Sequence, residues 1–420
     1  MVGARNRADL TAHRAIVVFL NSVPVNPDLE TILSHLRERF NDPHVVVAIS
    51  GGVDSAVTAM LLKQAGIRVS AIFMKNWNEP DDYGNCQWEA DVGDALSVCE
   101  KLDIPINTVD LSQAYWDAVF VDFLREYQRG RTPNPDILCN REVKFKAFLE
   151  HVEELQGDII ATGHYAQIHS PEPEDIDPRF RLIRGRDRNK DQSYFLYTLG
   201  QAQLARTIFP IGGLEKAEVR KLARDAGLEV HQKKDSTGIC FIGERKFRQF
   251  LSEYISIKPG AIKTLEGTTI GQHEGAAFYT IGQREGLGIG GVKGYPQGPW
   301  FVAAKDQQKN EIYVTQGHEH EALMSTKLQA DSVHWISGSA PDFPLQCTAQ
   351  IRYRQTDEAC TVKFLAEDQL EVEFDRPQRA VTPGQSVVFY QREECLGGAI
   401  IDLNSGIAAE RPAAGISKLS

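Results

Sequence analysis

Two cysteines in charged, polar surroundings are the side chains best suited to covalent chemistry. Cys139 lies in TPNPDILCN, three residues after Asp136, and is followed by Arg141 and Lys144. Cys240 lies in KKDSTGICFIGERKF, among lysine and arginine side chains. Cationic neighbours lower the pKa of a thiol and favour the nucleophilic thiolate. From the residues alone, two reactive thiols and two buried structural thiols fit this pattern equally well.

The residue types allow four interpretations of these two cysteines: thiols without a function, a disulfide, metal ligands, or two thiols that act together in catalysis. The chain has seven cysteines, an odd and widely spread set, and no Cys-x-x-Cys spacing. This usage argues against a secreted disulfide framework and against a zinc ribbon, and it favours a reducing cytoplasm. A working pair would suit sulfur transfer, since a second thiolate helps to release the outer sulfur of a persulfide.

A glycine turn between a strand and a helix is the second chemical feature. In VVVAISGGVDSAV, Gly51 and Gly52 let the backbone approach an anion, and Ser50 and Ser55 add hydroxyl donors. Helix N–H groups and the helix dipole favour negative charge at this point. A carboxylate at Asp54 suits such a site if Mg²⁺ lies between it and a phosphate. The lysine of a Walker A loop is missing.

The hexapeptide SGGVDS resembles the pyrophosphate loop, S-G-G-x-D-S, of ATP pyrophosphatases, rather than a simple serine and glycine turn. The resemblance implies that ATP and Mg²⁺ bind here, with Asp54 as the metal contact. Met74, at the end of the next strand, would lie near the adenine, and Gly163 in ATGHY ends a later strand at the same edge. The loop residues implied are Ala48, Ile49, Ser50, Gly51, Gly52, Val53, Asp54 and Ser55.

Alternating strands and helices must position this loop. Apolar strands such as HVVVAIS and RVSAIFM are separated by helical segments, which predicts a parallel sheet covered on both faces. Before them, DLETILSHLRERF predicts an amphipathic helix that packs on the next domain or stays peripheral. From about residue 325, short alternating strands such as AQIRYRQ and QLEVEF predict a small antiparallel barrel.

Composition and charge limit the classes of function that this chain can have. The chain has 420 residues, 42% of them hydrophobic, and a net charge of −11. No run of about 18 apolar residues exists, so we predict no membrane span, and the N-terminus lacks the features of a signal peptide. The acidic net charge argues against a polyanionic partner, but the stretch Arg179–Lys190 is basic. That stretch is either a solvated hairpin of mixed charge or part of an RNA-binding surface.

Several long blocks resemble the MnmA-type tRNA-specific 2-thiouridylases. They are TPNPDILCNREVKF, ATGHYA, KDQSYFLYTL, KKDSTGICFIGERKF, YTIGQREGLGIGG, IRYRQ and VTPGQSVVFY, and they span roughly residues 44–405. The resemblance implies an α/β fold: a Rossmann-like, parallel-sheet ATP-pyrophosphatase domain, a small central domain and a C-terminal antiparallel β-barrel. The implied parts are a catalytic domain (41–205 plus about 240–264), a central domain (206–239 plus about 265–322) and a barrel (323–420). Residues 1–40 fall outside the resemblance and are predicted to be an N-terminal extension with the amphipathic helix.

The same resemblance implies ATP-dependent 2-thiolation of the wobble uridine of tRNA. Cys240 would carry a persulfide, Cys139 would be the second catalytic thiol and form a transient disulfide with Cys240, and Asp136 would transfer a proton. The partners implied are tRNAs with anticodons of the Lys, Glu and Gln type and a sulfur-relay donor protein. The residues implied to contact tRNA are Asn134, Pro135, Asp136, His164, Lys190, Asp191, Gln192, Arg352, Tyr353 and Gln385.

Three alternatives remain open at this point. The loop suits other ATP pyrophosphatases, such as amidating or argininosuccinate-type ligases. The RNA-type blocks suit a non-catalytic tRNA-binding protein. Within the thiolase interpretation, Cys139, Cys240 and Asp136 are also a possible ligand set for an iron–sulfur cluster.

Overall fold

The structure is a computed structural model that describes residues 27–78, 87–172, 174–175, 177–234, 247–255 and 258–402. Cys240 and Cys86 lie outside the described residues. The described residues fall into two compact units. The first unit is formed by the described residues within Met1–Tyr115 and Asn140–Gly243, and the second unit by those within Trp116–Cys139 and Glu244–Ser420. The division into four parts by residue number stays a prediction.

The helices are named here in chain order. They are α1 (Pro27–Arg39), α2 (Val53–Gln64), α3 (Gln87–Leu102), α4 (Ser112–Tyr115), α5 (Val121–Gln128), α6 (Pro135–Leu138), α7 (Phe148–Glu154), α8 (Ser193–Leu196), α9 (Gln201–Leu204), α10 (Lys216–Asp225) and α11 (Phe247–Tyr254). Two π-helical segments, Trp116–Phe120 and Cys139–Ala147, lie between them, and single 3₁₀ turns occur at Glu229–Gln232, Ala276–Phe278 and Glu321–Leu323.

A five-stranded parallel sheet forms the centre of the first unit. Its strands and those of a small hairpin are β1 (His44–Ile49), β2 (Arg68–Lys75), β3 (Ile106–Asp110), β4 (Ile159–Ala161), β5 (Ala166–His169), β6 (Arg181–Arg184) and β7 (Thr207–Ile208). The sheet order is β3-β2-β1-β4-β7, and β5 pairs antiparallel with β6. Every residue of β1 is buried, as a central parallel strand requires. The predicted α/β parallel sheet is confirmed.

The predicted amphipathic helix is present as α1. Its apolar stripe, formed by Leu29, Leu33 and Leu36, is buried in the same hydrophobic core as β1 and α2. Leu29 and Leu33 are one helical turn apart, and Leu36 follows three residues later, so all three face one side. The helix therefore packs on the core of the first unit, which decides between the two predicted positions.

The second unit contains a four-stranded sheet and a closed barrel. Its strands are β8 (Gly260–Thr264), β9 (Thr269–His273), β10 (Trp300–Asp306), β11 (Glu311–Gln316), β12 (Met324–Trp335), β13 (Leu345–Gln350), β14 (Glu358–Ala366), β15 (Gln369–Arg379), β16 (Ser386–Gln391) and β17 (Glu394–Ile401). The small sheet has the order β10-β11-β8-β9. The barrel has the order β12-β15-β14-β13-β16-β17 and closes by pairing of β12 with β17. The predicted C-terminal antiparallel barrel is confirmed.

Two strand predictions were too long. The predicted strand AQIRYRQ ends at Gln350, because the Gln350 side-chain amide donates to the backbone carbonyl of Gln355 and to Asp357, and this closes a turn. The later strand that was predicted to end at Gly163 in ATGHY ends at Ala161 as β4, and β5 begins at Ala166. At the break, the N–H of Tyr165 donates to the side-chain oxygen of Gln192, 2.9 Å away, rather than to a neighbouring strand.

Candidate active site

The turn between β1 and α2 is held by its own serines. The N–H of Ser50 donates to Oγ of Ser55, the two serine hydroxyl oxygens lie 3.2 Å apart, and the Ser55 hydroxyl donates to the Gly52 carbonyl. Gly51 has a φ of +69°, the left-handed region that favours glycine. The sequence S-G-G-x-D-S therefore folds into a fixed turn whose hydroxyl groups lie at the N-terminus of α2.

Two glycines allow neighbouring backbone to pack closely against this turn. A Cβ on Gly51 would lie 2.2 Å from the carbonyl oxygen of Asp91 in α3, and one on Gly163 would lie 2.8 Å from the N atom of Ser55. Neither position tolerates a side chain without movement of the backbone. The structure thus brings Gly163, predicted from its strand end, directly against the first turn of α2. Met74 lies near the carboxyl end of β2, beside the end of β1, where Ile49 pairs with Phe73.

Asp54 is held by two side chains that lie far from it in the sequence. Nζ of Lys216 lies 2.8 Å from each of the two carboxylate oxygens, and the hydroxyl of Tyr165 donates to Oδ1 at 2.8 Å. Lys216 begins α10, and the capping box of Glu215 and Glu218 fixes that helix start. The Asp54 carboxylate is therefore neutralised by an ammonium group in this structure.

A second lysine holds the turn itself. Nζ of Lys233 donates to the carbonyl oxygen of Gly51 at 3.1 Å and contacts the carboxylates of Asp91 and Asp94 in α3. Those two carboxylates raise the pKa of Lys233 against the opposing effect of burial. The sequence interpretation gave Lys216 no role and considered Lys233 only as a cationic neighbour of Cys240. The signal available was a lysine in LEKAEVR, since the loop lacks the lysine of a Walker A motif.

The segment before Cys139 lies in the second unit and contains the N-terminus of helix α6. The side chain of Asn134 accepts from the N–H of Asp136 at 3.2 Å, and Pro135 occupies the first helical position of α6. The backbone of Thr132 is held by the C-terminal barrel: its N–H donates to Pro383, and its carbonyl accepts from the side-chain amide of Gln385 at 2.6 Å. Gln385 therefore positions the segment that carries Asn134, Pro135 and Asp136.

Cys139 is described, and its side chain is almost inaccessible, with 1% exposure. It starts the π-helical segment that follows α6, an irregularity that is frequent at functional sites. Within the first unit, the guanidinium of Arg141 contacts Glu142, which also accepts from Lys146. Because Cys240 lies outside the described residues, the distance between the two predicted catalytic thiols is not part of the described structure.

Arg352 and Tyr353 lie in the turn between β13 and β14. One guanidinium nitrogen of Arg352 donates to the carbonyls of Ile281 and Ala380 and to the hydroxyl of Thr382. Arg352 thus holds the YTIGQ segment against the barrel. Tyr353 carries the guanidinium of Arg354 over its ring at 5.0 Å.

The other predicted RNA contacts lie in the first unit, and two of them are turned inward. Asp191 is 7% exposed and accepts from the N–H groups of Gly185 and Ser193, from the Ser193 hydroxyl and from Arg184. Gln192 accepts from the N–H of Tyr165. Lys190 is partly exposed on the turn that follows β6.

His164 is buried and neutral. It lies between the rings of Phe145 and Phe209, and its Nδ1 is 2.7 Å from the Thr162 hydroxyl. Burial, followed by the charge of Lys144, lowers the pKa of His164 well below its ordinary value. A contact of this side chain with RNA would be a hydrogen bond or a stacking contact, since a charged imidazolium is disfavoured here.

The basic stretch Arg179–Lys190 is largely neutralised. Four of its five arginines contact carboxylates of the same unit, in the pairs Arg179–Asp177, Arg181–Asp175, Arg184–Asp191 and Arg186–Glu218. Two of these carboxylates come from the acidic sequence that precedes the stretch. Most of the positive charge that suggested an RNA surface is therefore compensated by carboxylates of the first unit.

The donor set around the turn fits a magnesium nucleotide. Main-chain N–H groups and serine hydroxyls suit phosphate oxygens, and the Asp54 carboxylate suits Mg²⁺. The residues described contain no group of three or more His, Cys, Asp or Glu side chains that would hold a metal ion by themselves. No helix in the described part of the chain is long and apolar enough to cross a membrane.

Family models match three successive parts of the chain. A tRNA methyl transferase HUP domain matches residues 43–244, a tRNA methyl transferase PRC-barrel domain residues 248–316, and an aminomethyltransferase beta-barrel domain residues 325–401. Among solved structures, the U34-tRNA thiolase NcsA from Methanococcus maripaludis with its [4Fe-4S] cluster covers 58% of this chain and 72% of that chain, with 17% identity and a TM-score of 0.31. That likeness is too distant to bear on function.

The sheet and the S-G-G-x-D-S turn define an α/β protein of the ATP-pyrophosphatase type. The tRNA-specific 2-thiouridylase MnmA of Methylococcus capsulatus is 55% identical over 363 residues, which are 86% of this chain and 96% of that protein. The protein of the same name from Citrobacter koseri is 56% identical over 359 residues, 85% of this chain and 96% of that protein. The chain belongs to the family of MnmA-type tRNA-specific 2-thiouridylases.

Proposed function

We propose that this protein converts the uridine at the wobble position, position 34, of tRNA to 2-thiouridine, with ATP and Mg²⁺ as co-substrates. The observation that carries the proposal is 55% identity to a tRNA-specific 2-thiouridylase across 96% of that protein. The fixed turn at the start of α2 supports the ATP-dependent half of the reaction. We further propose a cytoplasmic site of action, tRNAs with Lys, Glu and Gln type anticodons and a sulfur-relay protein as donor.

In the first half-reaction, the C2 oxygen of uridine attacks the α-phosphorus of ATP. Pyrophosphate leaves, and the C2 oxygen becomes part of a good leaving group. The N–H groups and hydroxyls of the turn bind the phosphates, and the ammonium of Lys216 compensates charge beside Asp54. Asp54 would hold Mg²⁺, which would supply divalent positive charge to offset the charge of the phosphates. Ala48 to Ser55, with Met74 and Gly163, are the residues proposed to surround the nucleotide.

In the second half-reaction, the persulfide of Cys240 provides sulfur. Either its outer sulfur attacks C2 and displaces AMP, after which the Cys139 thiolate attacks the Cys240 sulfur and breaks the S–S bond so that the outer sulfur stays on C2, or Cys139 first releases that sulfur as hydrosulfide, which then attacks C2 and displaces AMP. Both routes leave a disulfide between Cys139 and Cys240 once the sulfur has been delivered, and two electrons must then reduce that bond. Asp136 is the proposed proton-transfer group, and its N–H is held by Asn134 at the start of α6.

The proposed RNA contacts fall into two groups, those against the target base and those with the rest of the tRNA. Asn134, Pro135 and Asp136 are proposed to lie against the splayed-out base, as recognition of single-stranded RNA commonly requires. His164, Lys190, Asp191, Gln192, Arg352, Tyr353 and Gln385 are the remaining proposed contacts. The inward hydrogen bonds of Asp191 and Gln385 favour positioning roles for these two side chains.

The test is in vitro thiolation with purified protein, unmodified tRNA, MgATP and a persulfide donor, followed by mass spectrometry of tRNA nucleosides. We expect 2-thiouridine only when ATP is present and when the tRNA has uridine at position 34. A matched tRNA with cytidine at position 34 is the control. ATP–pyrophosphate exchange that does not need tRNA would instead favour another ATP-pyrophosphatase ligase, and tRNA binding without exchange would favour a non-catalytic binding protein.

The iron–sulfur alternative stays a separate question. Asp136 and Cys139 lie close in sequence, but Cys240 lies outside the described residues. Anaerobic purification with an absorbance spectrum and an iron assay tests this variant directly. Iron bound in stoichiometric amount and lost in Cys240→Ser would replace the persulfide mechanism by a cluster-based one.

A further inference from the structure

The C-terminal barrel contains a pair of thiols that the proposed reaction does not use. Cys347 in β13 and Cys360 in β14 are direct partners across two antiparallel strands, and their Sγ atoms lie 3.7 Å apart. Cys360 belongs to the buried barrel core, whereas Cys347 is partly exposed and packs against that core. Among the described residues, no third ligand joins them in a metal-binding group.

The strand geometry suits a covalent bond between them. Directly opposed residues of an antiparallel pair have Cα atoms about 4.5 to 5.5 Å apart. A disulfide spans Cα separations of about 4.4 to 6.8 Å. The two sulfur atoms therefore need only side-chain rotation to approach from 3.7 Å to bonding distance. No change of strand register is required.

We propose that Cys347 and Cys360 are a reversible modification site, which closes to a disulfide when the protein meets hydrogen peroxide. The Cys347 thiol first attacks the peroxide O–O bond, which gives a sulfenic acid at Cys347 and one water. The Cys360 thiol then attacks the sulfenic sulfur, which forms the S–S bond and releases a second water. The two thiols together lose two electrons and two protons, and the peroxide is reduced to water.

The environment of the pair sets this order. Cys347 is the more exposed of the two thiols, so it is the one that an oxidant in solution reaches. The hydrogen bond to Cys347, and then burial, raise the pKa of Cys360 and keep it a thiol. Cys360 thus acts second, as the resolving thiol. Cys395, also buried in the barrel, is not opposite either of them in the strand register.

The disulfide would close the base of a hairpin. The twelve residues between the two cysteines include Arg352 and Tyr353, the proposed RNA contacts. The hairpin is already ordered by the side chain of Gln350, which donates to Gln355 and Asp357. The bond would therefore fix an existing conformation. Its formation does not depend on the proposed function, since it concerns the barrel alone.

The experiment uses the full chain with Cys139→Ser and Cys240→Ser, so that the proposed catalytic pair cannot contribute. After treatment with hydrogen peroxide, non-reducing peptide mapping should find Cys347 linked to Cys360 with the loss of two hydrogens, and dithiothreitol should restore both thiols. In the same background, Cys395→Ser should leave this link unchanged. Thiols that stay reduced at both positions, or a link of either cysteine to Cys395, would overturn the proposal.

Two further variants test the order of attack. With Cys360→Ser, the sulfenic acid at Cys347 has no resolving partner and should be trapped by a dimedone-type probe. With Cys347→Ser, Cys360 should stay unlabelled, because its thiol is buried. Labelling of Cys360 and not Cys347 would contradict the assigned order. The link in the parent chain remains a test even where a variant folds poorly.

Discussion

Replacement of Lys216 by methionine tests the cation that neutralises Asp54. Methionine keeps most of the aliphatic side chain and removes the ammonium, whose Nζ lies 2.8 Å from both carboxylate oxygens. The Lys216 side chain is 12% exposed and that of Asp54 30% exposed, so the pair is only partly screened by water. Hydrogen bonds to charged groups contribute about 1.5 to 3 kcal/mol. We expect Lys216→Met to lower the free energy of unfolding by an amount in that range.

The same substitution should change two binding affinities in opposite directions. Without the ammonium, Asp54 loses a competing cation, so Mn²⁺ alone, observed by electron paramagnetic resonance, should bind more tightly than to the unsubstituted protein. MgATP should bind about 10- to 100-fold more weakly, because a positive charge beside the phosphates is lost, and tenfold corresponds to about 1.4 kcal/mol. Titration calorimetry measures the second effect.

A matched control is Lys221→Met in the same helix. Lys221 is largely exposed and pairs with Asp225 one turn away, so its loss should leave both affinities unchanged and affect stability much less. A double-mutant cycle with Asp54→Asn should give a coupling of about 1 to 3 kcal/mol in urea unfolding. If Lys216→Met had the stability and the MgATP affinity of the unsubstituted protein, Lys216 would have no role at this site. If the affinities for Mn²⁺ and for MgATP both fell, the interpretation that Lys216 and a divalent cation compete for Asp54 would be wrong.

Three further predictions concern the other sites. Lys190→Ala should weaken tRNA binding and reduce the slope of log affinity against log salt by about one, whereas exposed Lys221→Ala should leave the slope unchanged. His164 has a pKa below that of the unfolded chain, so its contribution to stability is present above about pH 6.5 and is lost as the pH falls below that value. Heteronuclear NMR should show His164 still neutral at about pH 6.5, where an ordinary histidine is half protonated, and an ordinary titration would refute its buried, neutral state. Cys139→Ser and Cys240→Ser should each abolish thiolation, and only Cys139→Ser should still load labelled sulfur at Cys240. The double variant should lose little more activity than either single variant, since both thiols act in one step. Labelled sulfur on Cys139 would reverse the two roles.

Local sequence patterns predicted the strand, the turn and α2, because each signal lies within a few residues. The continuous apolar run of β1 requires a buried parallel strand, and Gly51 supplies the positive φ of the turn. The alternation in QLEVEF likewise predicted which residues of β15 are buried: Leu370, Val372 and Phe374. In these segments, propensity and tertiary packing favour the same structure.

Contacts between distant residues were not predictable in this way. Lys216 and Asp54 are 162 positions apart, and nothing in either local segment specifies the other. Arg186 and its partner Glu218 in α10 are likewise far apart in the sequence. The hydrogen bond from the N–H of Tyr165 to the side chain of Gln192 likewise joins residues 27 positions apart, which only the folded chain brings together.

The charges around the turn explain why a magnesium nucleotide, and not free ATP, is the expected ligand. Among the described side chains that hold the turn and Asp54, three carboxylates (Asp54, Asp91 and Asp94) face two ammonium groups (Lys216 and Lys233). This set carries one net negative charge, so it repels the four negative charges of free ATP despite the favourable N–H groups of the turn. A divalent cation removes that conflict, because it halves the negative charge of the nucleotide and suits the carboxylate of Asp54. Chelation of Mg²⁺ should therefore abolish nucleotide binding itself, measured by calorimetry, and not only turnover. ATP that binds equally well with and without EDTA would mean that the loop N–H groups alone outweigh the carboxylates.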